Sequence, residues 1–183
     1  MTRPLLAASV AGLLAAGPAL AQNTQGGGTA GSQDRTFVQQ AAQGNVAEAQ
    51  EGRLAMQQAA SPAVREFGRW MFTDHTGMDK WLAMIAQREG FQVPTTPNQE
   101  QTQKLLQLRG LHGEQFDRTY IPDQVQDHQK TIALFQQEAQ SGQNPQLKFF
   151  AQQSVPVLQQ HLAEAQELQS LATSGSGASS NAR

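Results

Sequence analysis

The chain has 183 residues, with 13 basic and 15 acidic side chains and a formal net charge of −2. A weakly acidic chain is a poor partner for nucleic acid, because phosphate binding needs a basic face. The chain has no cysteine, which excludes disulfide bonds and thiolate metal sites. Burial of apolar side chains must therefore stabilise the fold, and any bound metal ion would need histidine or carboxylate ligands.

Residues 1–21 predict an export signal. Arg3 precedes an apolar run over residues 5–16, and residues 18–21 (PALA) end in the small-x-small pattern that signal peptidase needs. The run is too short to span a bilayer comfortably. We therefore expect an exported protein, periplasmic or secreted, with no membrane span after the signal is removed. Loss of Arg3 would leave 12 basic and 15 acidic side chains, a formal charge of −3.

Two polar segments border the predicted folded domain. Residues 22–33 are rich in glycine and predict a flexible linker. Residues 173–183 have a similar character and predict a disordered tail, because they contain too few apolar side chains to form a core. The domain between them, residues 34–172, is long enough for one hydrophobic core.

Apolar side chains in this domain recur at the three- and four-residue spacing of amphipathic helices. Ser61-Pro62 and Asn144-Pro145 each place a capping residue before a first-turn proline, and Gly90 is a typical helix end. The predicted long helices cover residues 34–60, 62–89, 114–140 and 145–171, and a short helix covers residues 99–108.

The long connection over residues 91–113 suits a crossover between two helical hairpins better than a tight turn. A weak internal echo supports this arrangement, since eleven positions separate Phe37 from Glu48 and also Phe116 from Asp127. The predicted fold is all-α: two antiparallel helical hairpins joined by a long crossover that contains a short helix.

Ionisable side chains interrupt the apolar face of every long helix. Glu48 lies thirteen positions before Ser61 and Asp74 lies thirteen positions after it, which places them at one depth in a hairpin. In the second hairpin the two histidines differ in depth by about one turn, roughly 5 Å. Carboxylates and imidazoles that face inward are the ligands by which helical bundles hold iron or manganese, and imidazole also suits zinc and copper. The predicted metal ligands are Glu48, Asp74, His75, Asp127, His128 and His161.

Two other interpretations of these residues stay open. Aspartate and histidine can satisfy each other through charge-assisted hydrogen bonds, so the cluster could fix helix packing with no ion bound. Met71 and Met78 lie on either side of His75 and would suit cuprous ion, although methionine at this spacing also fills hydrophobic cores. The sequence does not choose between iron, manganese, zinc, copper and no metal.

Several segments resemble a family of exported bacterial ferritin-like proteins, the domain of unknown function 4142 family. The resemblance covers almost the whole of residues 37–171 and implies a ferritin-like four-helix bundle, an envelope location and no assigned biochemical activity. The segments that carry it are residues 44–48 (GNVAE), Asp74-His75, residues 116–120 (FDRTY), Asp127-His128 and residues 156–162.

The chain departs from ferritins at the motif that carries their chemistry. A di-iron site of that type needs Glu-x-x-His on two helices, but Phe72 and Leu158 stand three positions before His75 and His161. A full dinuclear oxidase site is therefore not expected.

We find neither a nucleophile–base arrangement nor a phosphate-binding glycine loop in the sequence. We therefore expect a non-enzymatic exported helical bundle whose interior layer of Glu, His and Asp is a candidate site for a transition metal. A metal-dependent oxidase or peroxide-handling enzyme built on the same layer is the first alternative. An envelope module that binds other proteins through its glutamine-rich faces is the second, with partners that the sequence does not name.

Overall fold

The computed structural model describes the backbone of residues 31–178 and the side chains of residues 31–174. These residues form five helices and no strand, which confirms the all-α prediction. The predicted signal and most of the predicted linker lie outside the described residues. The helices are α1 (Ser32–Gln58), α2 (Pro62–Glu89), α3 (Gln99–Arg109), α4 (Glu114–Ser141) and α5 (Pro145–Ala178).

The predicted caps form where the sequence places them. The Ser61 side chain accepts a hydrogen bond from the Val64 backbone N–H at 3.4 Å, and Pro62 begins α2. Asn144 Oδ1 accepts a hydrogen bond from the Leu147 backbone N–H at 3.1 Å in the first turn of α5. Gly90 ends α2 with a φ of 75°, a left-handed conformation that glycine adopts without strain.

Helix α5 continues to Ala178, beyond position 173 where the disordered tail is predicted to begin. Adding a residue to an existing helix costs far less free energy than starting a new one. No proline follows Pro156 to stop the helix, so the backbone stays helical through the first part of the predicted tail.

One aspartate near the start of α1 holds the turn between α4 and α5. Asp34 is buried, and its carboxylate accepts hydrogen bonds from the backbone N–H groups of Gln143 at 2.8 Å and Asn144 at 3.1 Å. The start of α1 is thereby fixed beside the end of α4.

A second aspartate, near the start of α4, does the same for the turn between α1 and α2. The Asp117 carboxylate accepts hydrogen bonds from the backbone N–H groups of Ala60 at 3.1 Å and Ser61 at 2.9 Å. The start of α4 therefore lies beside the end of α1, and the two helices run in opposite directions.

These two contacts are equivalent and show how the hairpins correspond. Asp34 and Asp117 are 83 positions apart, as are Ser61 and Asn144. The internal repeat predicted from Phe37 and Phe116 has an offset of 79 positions. The structure gives an offset of 83 positions, so the two differ by four residues, about one helical turn.

The buried apolar side chains form two clusters at opposite ends of the long helices. One includes Phe37, Met78 and Leu147, and the other includes Phe67 and Met71. The segment of α2 that contains His75 thus lies between the two clusters, at the middle of the structure. None of the described helices is long and apolar enough to cross a membrane.

Helices α1 and α2 approach closely where two glycines face each other. A Cβ atom added at Gly52 would lie 2.5 Å from the Gly68 carbonyl oxygen and 2.8 Å from the Phe72 backbone nitrogen. Backbone atoms cannot give way as a flexible side chain can, so the helices would have to separate.

We predict that Gly52→Ala lowers the free energy of unfolding by about 1–3 kcal/mol, the usual cost of forcing a methyl group into a packed interface. Gly77 is the matched control, because it is also helical and has no atom within 4 Å of its added Cβ. Gly77→Ala should raise stability by about 0.5–1 kcal/mol. Urea unfolding of both variants measures this, and a neutral Gly52→Ala would contradict the close packing.

Candidate metal centre

Three histidines from three helices meet at the middle of the structure. His75 of α2, His128 of α4 and His161 of α5 are each only 1–2% exposed. The ring centroids are 5.6 Å apart for His75 and His128, 5.5 Å for His75 and His161, and 5.4 Å for His128 and His161. One ring nitrogen from each lies within 4.8 Å of the other two. We call these three residues the histidine triad.

Each imidazole of the triad has one hydrogen-bond partner that fixes its orientation. His75 Nδ1 lies 3.0 Å from Asn45 Oδ1 of α1. His128 Nδ1 lies 2.9 Å from the backbone carbonyl oxygen of Gln124, one turn earlier on α4. Since these oxygens accept, each Nδ1 carries the proton and donates it.

The third ring is oriented through its other nitrogen. His161 Nε2 lies 2.9 Å from Asp74 Oδ2, and the Asp74 side chain is 42% exposed. The carboxylate accepts, so His161 donates from Nε2 and is connected to the surface through Asp74.

The remaining nitrogen of each ring is buried and has no hydrogen-bond partner. These atoms are Nε2 of His75, Nε2 of His128 and Nδ1 of His161. Because the protons are on the opposite nitrogens, all three atoms carry free lone pairs. Buried polar atoms are rarely left without a partner, and three in one cluster indicate a site for an electron-pair acceptor.

The surroundings keep the triad uncharged at neutral pH. Burial, with smaller contributions from His128 and His161, holds the pKa of His75 well below its usual range. Burial and the neighbouring His161 lower the pKa of His128 to about 3. The pKa of His161 is also lowered by burial, although the hydrogen bond to Asp74 works in the opposite direction. Neutral imidazole is the form that binds metal ions.

The structure separates the predicted ligands into different environments. The depth difference predicted for His128 and His161 does not keep their rings apart. Asp74 touches the triad as the acceptor for His161. Asp127 is directed elsewhere, with Lys104 Nζ of α3 at 2.8 and 2.7 Å from its two carboxylate oxygens. Glu48 is buried, but it does not belong to the group of ligand atoms within 4.8 Å of one another, which the three histidines form.

Sequence reasoning missed the two residues that orient His75 and His128. Asn45 lies on α1 one turn before Glu48, on the same face, so the helical spacing could have identified it. Gln124 lies four positions before His128, where a backbone carbonyl faces the imidazole ring. The positions that hold glutamate in a ferritin-type site are apolar here, and Leu158 is fully buried in a core cluster.

Three neutral imidazoles with free lone pairs could hold a metal ion. Zinc–nitrogen bonds of 2.0–2.1 Å in tetrahedral geometry require ligand nitrogens about 3.3 Å apart. One nitrogen of each ring lies within 4.8 Å of the other two, so the rings would have to move closer together to bind an ion at that spacing. In each ring the second nitrogen already donates a hydrogen bond to an oxygen atom. Metal-binding histidines almost always show this arrangement.

We predict that acid destabilises the metal-free protein through the triad. In the folded state His128 has a pKa of about 3, below its ordinary value of about 6.5 in the unfolded chain. The unfolded state therefore binds more protons between these values. The stabilisation is complete above about pH 6.5 and is lost as the pH falls towards 3.

His128→Leu removes the contribution of His128 to this pH dependence, so its free energy of unfolding should improve relative to the unsubstituted protein by about 1 kcal/mol for each pH unit below 6. Denaturant unfolding at a series of pH values measures the difference. His112 is exposed, and His112→Leu should follow the unsubstituted protein throughout. Parallel curves for His128→Leu would contradict a buried neutral imidazole.

Residues 18–168 match the family described as Domain of unknown function (DUF4142). No curated protein and no solved structure matches the chain. The family match extends over more than half of the chain and includes the triad and every residue that orients it. The chain therefore belongs to the DUF4142 family, as its sequence motifs indicate.

Proposed function

We propose that this protein binds one divalent transition-metal ion through His75, His128 and His161. One observation carries the proposal: one ring nitrogen of each histidine lies within 4.8 Å of the other two, and each ring has one buried nitrogen without a hydrogen-bond partner while its other nitrogen has one. The proposed ligand atoms are Nε2 of His75, Nε2 of His128 and Nδ1 of His161.

The ligand set favours a borderline ion of the first transition row. Neutral imidazole suits zinc, copper, iron and nickel, whereas magnesium, calcium and manganese prefer oxygen ligands. Asn45, the Gln124 carbonyl and Asp74 each accept a hydrogen bond from the other nitrogen of a ring, which raises the basicity of the ligands and fixes their geometry. Asp127 is not among the proposed ligands because Lys104 binds its carboxylate.

The burial of the triad favours a site that holds an ion over one that turns over a substrate. All three rings are at most 2% exposed, so a large substrate has no direct approach to them. Metal release would require helices to move apart and is expected to be slow. The oxidase alternative has no specific support from the residues around the triad.

The proposal includes the ferritin-like arrangement of four long helices. The carboxylates of Asp34 and Asp117 support opposite directions for α1 and α4, and α3 lies within the connection between the two hairpins. Export is also part of the proposal, supported by the apolar segment over residues 5–16 and the small residues that follow it.

The test is metal binding by protein purified without a histidine tag. We predict that the metal-free protein takes up one equivalent of Zn²⁺ or Co²⁺, measured by calorimetry and by the cobalt absorption spectrum. His75→Ala, His128→Ala and His161→Ala should each weaken binding at least 100-fold, because two imidazoles cannot replace three.

His112→Ala is the matched control, since His112 is exposed and lies outside the triad. It should bind metal as the unsubstituted protein does. The proposed site would be excluded if the three triad variants bound metal as tightly as the unsubstituted protein does, with circular dichroism showing that they are folded.

A second prediction separates orientation from ligation. Asn45→Ala removes the acceptor for His75 but no proposed ligand, so zinc affinity should fall about 10–100-fold with the stoichiometry still one. Competition with a zinc chelator measures both quantities. An unchanged affinity would show that Asn45 does not position the ring.

A further inference from the structure

A second buried polar cluster lies next to the histidine triad. Glu48 and Glu51 lie one turn apart on α1, and Tyr120 and Gln124 lie one turn apart on α4. Their exposed fractions are 7%, 2%, 0% and 0% in that order. Gln124 joins the two clusters, because its backbone carbonyl accepts from His128 and its side-chain Nε2 donates to Glu51 Oε2 at 2.9 Å. We call these four residues the oxygen cluster.

The oxygen cluster is short of hydrogen-bond partners. Glu48 Oε2, Gln124 Oε1 and the Tyr120 hydroxyl oxygen are all buried without one. Leaving such atoms unpaired costs free energy. All three are oxygens, the ligand type that hard cations prefer, whereas the atoms without partners in the triad are nitrogens.

Negative charge is costly in the oxygen cluster. Burial, followed by the negative charge of Asp127, raises the pKa of Glu48 to about 8. Burial and the neighbouring Glu48 raise the pKa of Glu51 well above its usual range. The same two carboxylates act on the buried phenol of Tyr120, whose pKa is raised mainly by burial. Both carboxyl groups therefore favour the protonated, uncharged form when no cation is bound, and a divalent cation that binds both would take the place of their protons.

A cleft beneath α3 leads to the oxygen cluster from the surface. Its volume is about 240 Å³, and its lining includes both buried glutamates together with Lys104 and Asp127. The Lys104 ammonium group binds both oxygens of Asp127 and is only 22% exposed. Lys104 is therefore a cation that the protein itself supplies at the cleft.

We propose that the oxygen cluster is a second cation site, which binds a hard divalent ion such as Mn²⁺ through the carboxylates of Glu48 and Glu51. Gln124 Oε1 and the Tyr120 hydroxyl complete the oxygen ligands. The cation enters through the cleft beneath α3, and the positive charge of Lys104 weakens its binding. This site is separate from the proposed zinc-type site and does not require that site to be occupied.

The experiment uses protein first loaded with one equivalent of Zn²⁺, which keeps Mn²⁺ away from the imidazoles because they bind zinc more tightly. Free Mn²⁺ is then followed by electron paramagnetic resonance during a titration up to millimolar concentration. The unsubstituted protein should bind one Mn²⁺ ion. The double variant Glu48→Gln with Glu51→Gln should bind at least tenfold more weakly.

Glu138→Gln is the matched control, since Glu138 is another buried glutamate whose side chain accepts a hydrogen bond from Gln33, outside the oxygen cluster. It should bind Mn²⁺ as the unsubstituted protein does. Lys104→Met should bind Mn²⁺ several-fold more tightly, because it removes a positive charge from the cleft. Unchanged affinity in Lys104→Met would overturn the role given to Lys104.

Absence of Mn²⁺ binding, or equal binding by the folded double variant, would overturn the second site. If the double variant does not fold, Glu48→Gln alone provides the same test. Zinc content measured on the same samples keeps the two proposals apart. If the unsubstituted protein binds zinc but no manganese, only the proposal of the second site fails. If it binds manganese but no zinc, only the proposal of the histidine site fails.

Discussion

The position of three protons determines the chemistry of this protein's interior. Each imidazole of the histidine triad donates its proton outward, to Asn45, to the Gln124 carbonyl or to Asp74. A ring nitrogen that donates cannot also offer a lone pair, so the opposite nitrogens are left as acceptors without donors. Burial keeps the rings neutral, and these buried nitrogens have no hydrogen-bond partner among the described residues. An ion that accepts electron pairs fits both conditions.

The rest of the fold holds this layer in place. One apolar cluster lies on each side of it, so the polar groups lie at the middle of the structure. Asp34 and Asp117 each bind the backbone of the opposite hairpin's turn. These contacts set how far α1 can slide along α4, and thereby bring residues of the two hairpins to one level.

Two kinds of ligand chemistry lie side by side in the interior. The triad offers nitrogen atoms and carries no charge, which suits a borderline transition ion. The oxygen cluster offers carboxylates, an amide and a phenol, which suit a harder ion. Gln124 contacts both groups through different atoms: its backbone carbonyl accepts from His128, and its side chain donates to Glu51.

The sequence by itself determined the all-α class, the ends of most helices, both cap-and-proline turns and the approximate depth of the ionisable residues. Helical spacing and capping are local properties, so they can be determined without knowing what packs against a helix. Only the tertiary structure decided which polar groups meet. Asn45 and Glu48 share one face of α1, yet Asn45 contacts His75 while Glu48 belongs to the oxygen cluster, because one turn of about 5 Å exceeds the reach of a hydrogen bond. Asp127, like Asp74, directly precedes a histidine, but Lys104 on α3 binds its carboxylate, and no local pattern reveals a partner 23 positions away.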